Sequence, residues 1–194
     1  MATGLPHWDN SIAATDHYEP VFLNQFEVLI TPPTAITGVD ANEGLLIQQV
    51  ISVDGLPEFF TKAGVKQKYK FAERAYASAV PETTLANLTL KFEVNLDKSN
   101  NMYVYNTFRA WSDLIYDPLT GRQGLKKDYA DASMDVHVFN KAGDIFRTFK
   151  FESMFISEPI NKMSLDYTKD DIYRMEVKLI ADKTKETRVG QINI

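Results

Sequence analysis

The chain has 194 residues, a formal net charge of −5, 44% hydrophobic and 24% charged residues, and no cysteine. That length supports one domain with a core of its own, and the missing cysteine excludes disulfides, thiol nucleophiles and thiolate metal sites. The acidic balance argues against a protein that grips nucleic acid by its phosphates, and no run approaches the roughly 18 apolar residues of a membrane span.

Met1 to Asn10 has neither the basic start nor the apolar stretch of a signal peptide, which predicts a soluble, untargeted chain. Residues 1–19 carry His7, Trp8, His17 and Tyr18 among polar neighbours and read as an N-terminal arm. From Val21 to Ile30, Phe22, Phe26, Val28 and Ile30 share one face at period two, a strand that Thr31-Pro32-Pro33 ends. Leu45 to Val53 predicts a second strand, closed by a turn at Asp54-Gly55-Leu56-Pro57. Between Phe59 and Tyr76, Val65, Gln67, Tyr69 and Phe71 alternate with Lys66, Lys68 and Lys70, a strand with one basic face. Leu88, Leu90, Phe92, Val94 and Leu96 alternate with polar residues, the pattern of a half-buried strand.

A helix is predicted over about Asn101 to Tyr116, because Val104, Phe108, Trp111 and Ile115 recur at spacings of three or four. Asp97-Lys98-Ser99-Asn100 offers its N-cap, and Asp117-Pro118 stops it. Leu119 to Lys127 reads as a loop. Ala130–Asn140 and Ile145–Ile156 read as two strands joined by a hairpin turn at Lys141-Ala142-Gly143-Asp144. Tyr173, Met175, Val177 and Leu179 mark a closing strand. The domain therefore runs over 20–183, and the polar residues 184–194 read as a C-terminal tail. About seven or eight strands, one helix and short turns predict a mainly β fold: two packed antiparallel sheets, sandwich or barrel, with the helix on the flank.

The residues that carry chemistry do not converge. His7, His17 and His137 lack partners at metal-ligand spacing, so neither a metal nor a cofactor is expected. Asp131 and Asp135, four apart on a predicted strand, share a face; it reads as a solvated or salt-bridged face before a catalytic or calcium pair. Gly121-Arg122-Gln123-Gly124 resembles a phosphate loop only in glycine content. No nucleophile–base arrangement appears, and the chain reads as a non-enzyme. The Lys66/Lys68/Lys70 stripe has three readings: a nucleic-acid contact, a solvated strand face, or a contact with acidic residues of a neighbouring subunit. Subunit contacts are expected at Phe59, Phe60, Lys66, Lys68, Lys70, Asp131 and Asp135.

The order of features resembles the tail tube proteins of contractile-tailed phages. An Asn-x-Phe-x-Val strand opens the domain (Asn24 to Val28), a Gly-Leu-Pro turn follows (Gly55 to Pro57), then the alternating strand Thr83 to Leu96. A helix with Phe-x-x-Trp (Phe108 to Trp111), a hairpin and the closing strand Ile172 to Asp182 complete it, over about 20–183. The resemblance implies a structural subunit whose hexameric rings stack into a tube through an intersubunit β-barrel. It implies as partners a tail sheath protein, a baseplate or tube initiator, a tape measure protein and DNA passing in the lumen, with no membrane anchor. It implies a place in the virion tail, assembled in the host cytoplasm, and a polar, largely acidic lumen. Related tubes belong to type VI secretion and capsid-less contractile injection systems, so delivery of protein effectors is the alternative. A monomeric ligand-binding β-sandwich, using Trp8, Tyr18, Phe59 and Phe60, is the reading from a different class.

Overall fold

The computed structural model describes residues 22–36, 47–57, 66–76, 85–96, 102–160, 163, 165–168 and 170–188. Its body is one antiparallel sheet made of β1 (Phe26–Thr31), β2 (Val50–Asp54), β5 (Ala86–Glu93), β8 (Ser133–Phe139), β9 (Ile145–Ile156) and β10 (Arg174–Arg188). The strand order is β1-β8-β9-β10-β5-β2. Two small hairpins stand apart from it: β3 (Lys66–Lys68) with β4 (Glu73–Ala75), and β6 (Tyr116–Asp117) with β7 (Arg122–Gln123). The helices with described bounds are α1 (Tyr103–Ile115) and the single turn α2 (Lys126–Tyr129); residues 47–49 are also helical, so of the strand expected over Leu45 to Val53 only the part from Val50 forms.

The sheet is two staggered halves that share their longest strands. The β5 ladder accompanies β10 only from Arg174 to Ala181, while the β8 ladder accompanies β9 only up to Glu152. One half is therefore β1-β8-β9-β10, built on the C-terminal part of β10. The other is β9-β10-β5-β2, built on its N-terminal part. On β9 the buried residues are Phe149 and Phe151 before Ser153, and Met154 and Ile156 after it. Ser153 has a φ of 55° and is paired in neither the β8 nor the β10 ladder of its strand. A left-handed residue that the ladders skip bends the strand and shifts which residues point inward. On β10 the alternation shifts at the same level, from Met175, Val177, Leu179 and Ala181 to Thr184 and Glu186. The two long strands thus turn the corner together, as strands do when they pass from one sheet of a sandwich to the other. This is the mainly β, two-layered, barrel-like fold that the alternation predicts.

Helix α1 covers the core. Val104, Phe108 and Trp111 are fully buried, and the Phe108 ring lies 5.0 Å from Phe92 of β5 and 5.9 Å from Trp111. The indole N–H of Trp111 donates to the Tyr129 carbonyl at 2.8 Å, which ties α1 to α2. The N-cap differs from expectation: it is Met102, at φ 53° and without a side-chain cap bond, while the candidates at 97–100 lie outside the described residues. At the other end, Tyr116 is extended and the Asp117 carboxylate accepts from the Leu119 N–H at 2.9 Å and the Thr120 hydroxyl at 2.6 Å. Those bonds hold the Asp117 carboxyl below the usual carboxylate range, the Thr120 hydroxyl contributing most. The stretch read as a loop after Pro118 is thus a capped hairpin followed by α2. Gly124, in the glycine pattern that resembled a phosphate loop, packs against the end of α1: a Cβ there would lie 1.9 Å from the Leu114 carbonyl oxygen. Its role is close packing, not anion binding.

Candidate subunit interface

The basic stretch is a hairpin, not one long strand. β3 and β4 pair Lys66 with Ala75 and Lys68 with Glu73, and Tyr69 and Ala72 exchange backbone bonds across the turn. Lys70 and Phe71 therefore sit in the turn rather than on a strand face, a correction caused by reversal of the chain after three residues. Residues 66–76 are all exposed, with Phe71 at 91%. Four cations (Lys66, Lys68, Lys70, Arg74) meet one carboxylate, Glu73, whose bond to Lys66 is long at 3.8 Å. Arg74 stacks over Tyr69 and Lys70 over Phe71, at 5.8 and 5.6 Å. A two-stranded ribbon alone is marginally stable in water, so this arm, basic and aromatic, suits an external support. Phe59 and Phe60, expected beside it, lie outside the described residues.

Asp131 and Asp135 lie on the same, outward side of the alternation, each with its own neighbours. Asp131 precedes β8 and accepts a bond from the Thr34 hydroxyl at 2.8 Å. Asp135 lies within β8, opposite Leu29 on one side and Lys150 on the other, with Oδ1 buried and unpartnered. Ladder pairing starts at Ser133, but the alternation runs on through Asp131: Ala130, Ala132, Met134 and Val136 are buried while Asp131 and Asp135 lie on the other side. Among the described residues no group of three or more His, Cys, Asp or Glu side chains is placed to hold a metal ion.

The half-sheet β1-β8-β9-β10 is the most regular surface of the molecule. Its rows are in register: Val28, Val136, Phe149 and Glu186 form one, and Leu29, Asp135, Lys150 and Lys185 the next. One face is core: Val28, Ile30, Met134, Val136, Phe149 and Phe151 are 0–2% exposed. Where that face reaches the end of the sheet, Glu186 closes it, accepting from Arg147 and Arg188, each at 2.5 Å. Those bonds, the one from Arg188 first, hold the Glu186 carboxyl below its ordinary value against the opposing effect of burial. The other face is polar: Glu27, Asp135 and Glu152 against Lys150, Lys183 and Lys185, with His137 bonded to the Thr148 hydroxyl at 3.0 Å. It carries as many lysines as carboxylates, where the resemblance implies an acidic wall.

Among the described residues both edges of this half-sheet are open. β1 pairs only with β8, and from Lys183 to Thr187 strand β10 makes backbone ladder bonds only to β9 among the described residues. Beside β1 runs a groove of about 540 Å³ between it and β2, lined by Phe26, Glu27, Val28, Val50 and Ile51 among others. Sequence reading did not find these edges, since an edge follows from strand order and not from any local pattern.

No protein-family model matches the sequence, and no curated protein matches it. Solved structures do match. A chain in the cryo-EM structure of the anti-feeding prophage tube-terminating cap aligns at TM-score 0.55 and 16% identity, over 92% of this chain and 99% of that one. A chain in the sheath–tube complex of the PVC extracellular contractile injection system, in the extended state, aligns at 0.52 and 17%, over 92% and 97%. One in the sheath/tube terminator of the same system aligns at 0.53 and 16%, over 89% and 99%. The chain has the fold of these contractile-injection components. At such identities the likeness concerns the backbone, so within this tube-type fold the exposed arm and the two open edges are properties of this sequence to be read on their own.

Proposed function

We propose that the chain is a tube subunit of a contractile machine, polymerising as stacked rings. The observation that carries this reading is the four-stranded half-sheet with both edges open. Open strand edges are a hazard for a monomer unless covered. The directions of β1, β8, β9 and β10 alternate, so β1 of one copy and β10 of the next meet antiparallel, and a ring of any size keeps one continuous antiparallel sheet. An even strand count makes this possible, and ring closure removes the edges. The core face carries the rest of each subunit, which needs room on the convex side, so the polar face lines the channel.

Six copies per ring is the number that the resemblance implies, and one solved structure of this fold comes from a baseplate described as 6-fold symmetrised. The basic arm, exposed throughout, is the proposed contact to the adjacent ring, with Lys66, Lys68 and Lys70 meeting carboxylates of a chain whose net charge is −5. The conduit reading has two forms, DNA in a phage tail or protein effectors from a capsid-less machine. The even balance of lysines and carboxylates on the polar face supports the second, because free lysines on a wall retain DNA phosphates. A sheath outside and a baseplate or initiator at one end follow as partners of either form.

Negative-stain microscopy of the purified protein at rising concentration tests the reading. Rings and short tubes are expected. A protein that stays monomeric by light scattering at millimolar concentration, with no rings at any salt, overturns it.

A further inference from the structure

The two open edges differ in charge. On the polar face, β1 offers Glu27 with Leu29 and Thr31, and the free stretch of β10 offers Lys183 and Lys185 with Thr187. Glu27 is the one charged residue lining the groove beside β1 among the described residues. None of these three charges takes part in an ion pair within the chain among the described residues. Elsewhere the cations of the same strands are engaged: Arg147 and Arg188 hold Glu186, and Lys178 holds Glu158 at 2.7 Å.

We infer that Glu27 on β1 of one copy pairs with Lys183 and Lys185 on β10 of the next, and that this charge pattern selects the direction and register of the ring seam. The inference rests on the ring reading above. Its partner is a second copy of this chain. The face alternation restricts seam slips to steps of two residues, since a single step would turn core residues outward. If the rows continue across the seam, Glu27 lies opposite Thr187 and diagonal to Lys185; a slip of two residues puts it directly opposite Lys185 and diagonal to Lys183. Direct and diagonal neighbours on one face are both within reach of long side chains. The wrong seams are penalised: β10 against β10 stacks lysines, and β1 against β1 stacks glutamates beside a groove. Like charges directly opposite are destabilising, and building repulsion into the unwanted pairing is how an interface acquires specificity.

A mixing experiment reads this out. In E27K both edges become cationic; in K183E/K185E both become anionic. Each variant is first checked for wild-type circular dichroism. Each alone is expected to remain monomeric at concentrations where the wild type forms rings, and an equimolar mixture is expected to restore rings with the two variants in alternation. Rings formed by each variant alone, as readily as by the wild type, overturn the inference and leave the tube reading intact. Folded variants that fail both alone and mixed overturn it too, because complementarity would then not be what matters. A wild type that forms no rings defeats the tube reading itself.

Discussion

The bare Cα of Gly55 sits against the carbonyl oxygen of Asn87: a Cβ built there would lie 2.1 Å from that oxygen, at a φ of +88°. The Gly-Leu-Pro turn is therefore fixed by two independent demands, a left-handed backbone and a close approach of β2 to β5. Gly55→Ala meets both penalties, and neither has a flexible side chain to give way. A loss of about 2–4 kcal/mol is expected in urea unfolding, and a loss under 0.5 kcal/mol would mean that the turn can relax.

Trp111 joins the helix to the segment that follows it. Trp111→Phe keeps most of the apolar volume but leaves the Tyr129 carbonyl without its donor, so a loss of about 1–2 kcal/mol is expected. Trp111→Ala adds a cavity beside Phe108, for about 3–5 kcal/mol in all. Guanidinium melts of both variants, followed by circular dichroism, give the comparison.

Glu186 predicts a pH dependence. Its carboxyl is held below the unfolded value chiefly by Arg188 and then Arg147. A depressed carboxylate contributes stability that is fully present above its unfolded pKa of about 4.3 and is lost as pH falls through the folded value. Unfolding free energy should therefore decline on acidification below about pH 5, and Glu186→Gln should flatten part of that decline while lowering stability near neutrality. Superimposable pH profiles of wild type and variant would exclude the role.

The arm at 66–76 separates assembly from folding. Because its lysines are exposed, Lys66→Glu, Lys68→Glu and Lys70→Glu together should change stability by no more than about 0.5 kcal/mol. Rings should still form, and their stacking into tubes should fail. Tubes of wild-type length from the triple variant would remove the arm from the stacking contact.

Much of this fold is legible in the sequence where one face is buried. β9 runs over Ile145–Ile156 and α1 over Tyr103–Ile115, close to the spans that apolar spacing predicts, because core contact writes a period into the chain. β5 ends at Glu93, so Leu96, in phase with the pattern, is instead 77% exposed. β10 continues to Arg188 through Thr184, Lys185 and Glu186, which read as tail because half of that strand faces water and its edge has no ladder partner among the described residues. The reversal between β3 and β4 was hidden for a related reason: the alternation with Lys66, Lys68 and Lys70 reads as one strand, and a ribbon with no buried face carries nothing to mark where it turns. Lys66, Lys68 and Lys70 were conspicuous as charges, whereas Glu27 and Lys185 acquire meaning only once strand order places them on opposite edges.

The corner at Ser153 bears on mechanics. β9 and β10 both run on through it, their ladder skipping only Ser153 and Asp182, so the proposed channel wall and the outer layer of each subunit share one hydrogen-bonded ribbon. Force directed along those strands is borne in shear by many bonds at once, whereas force across an edge strand peels bonds one after another. A tube driven through a barrier loads its wall lengthwise; a subunit built on this ribbon resists that load as a unit and would yield first at its seams.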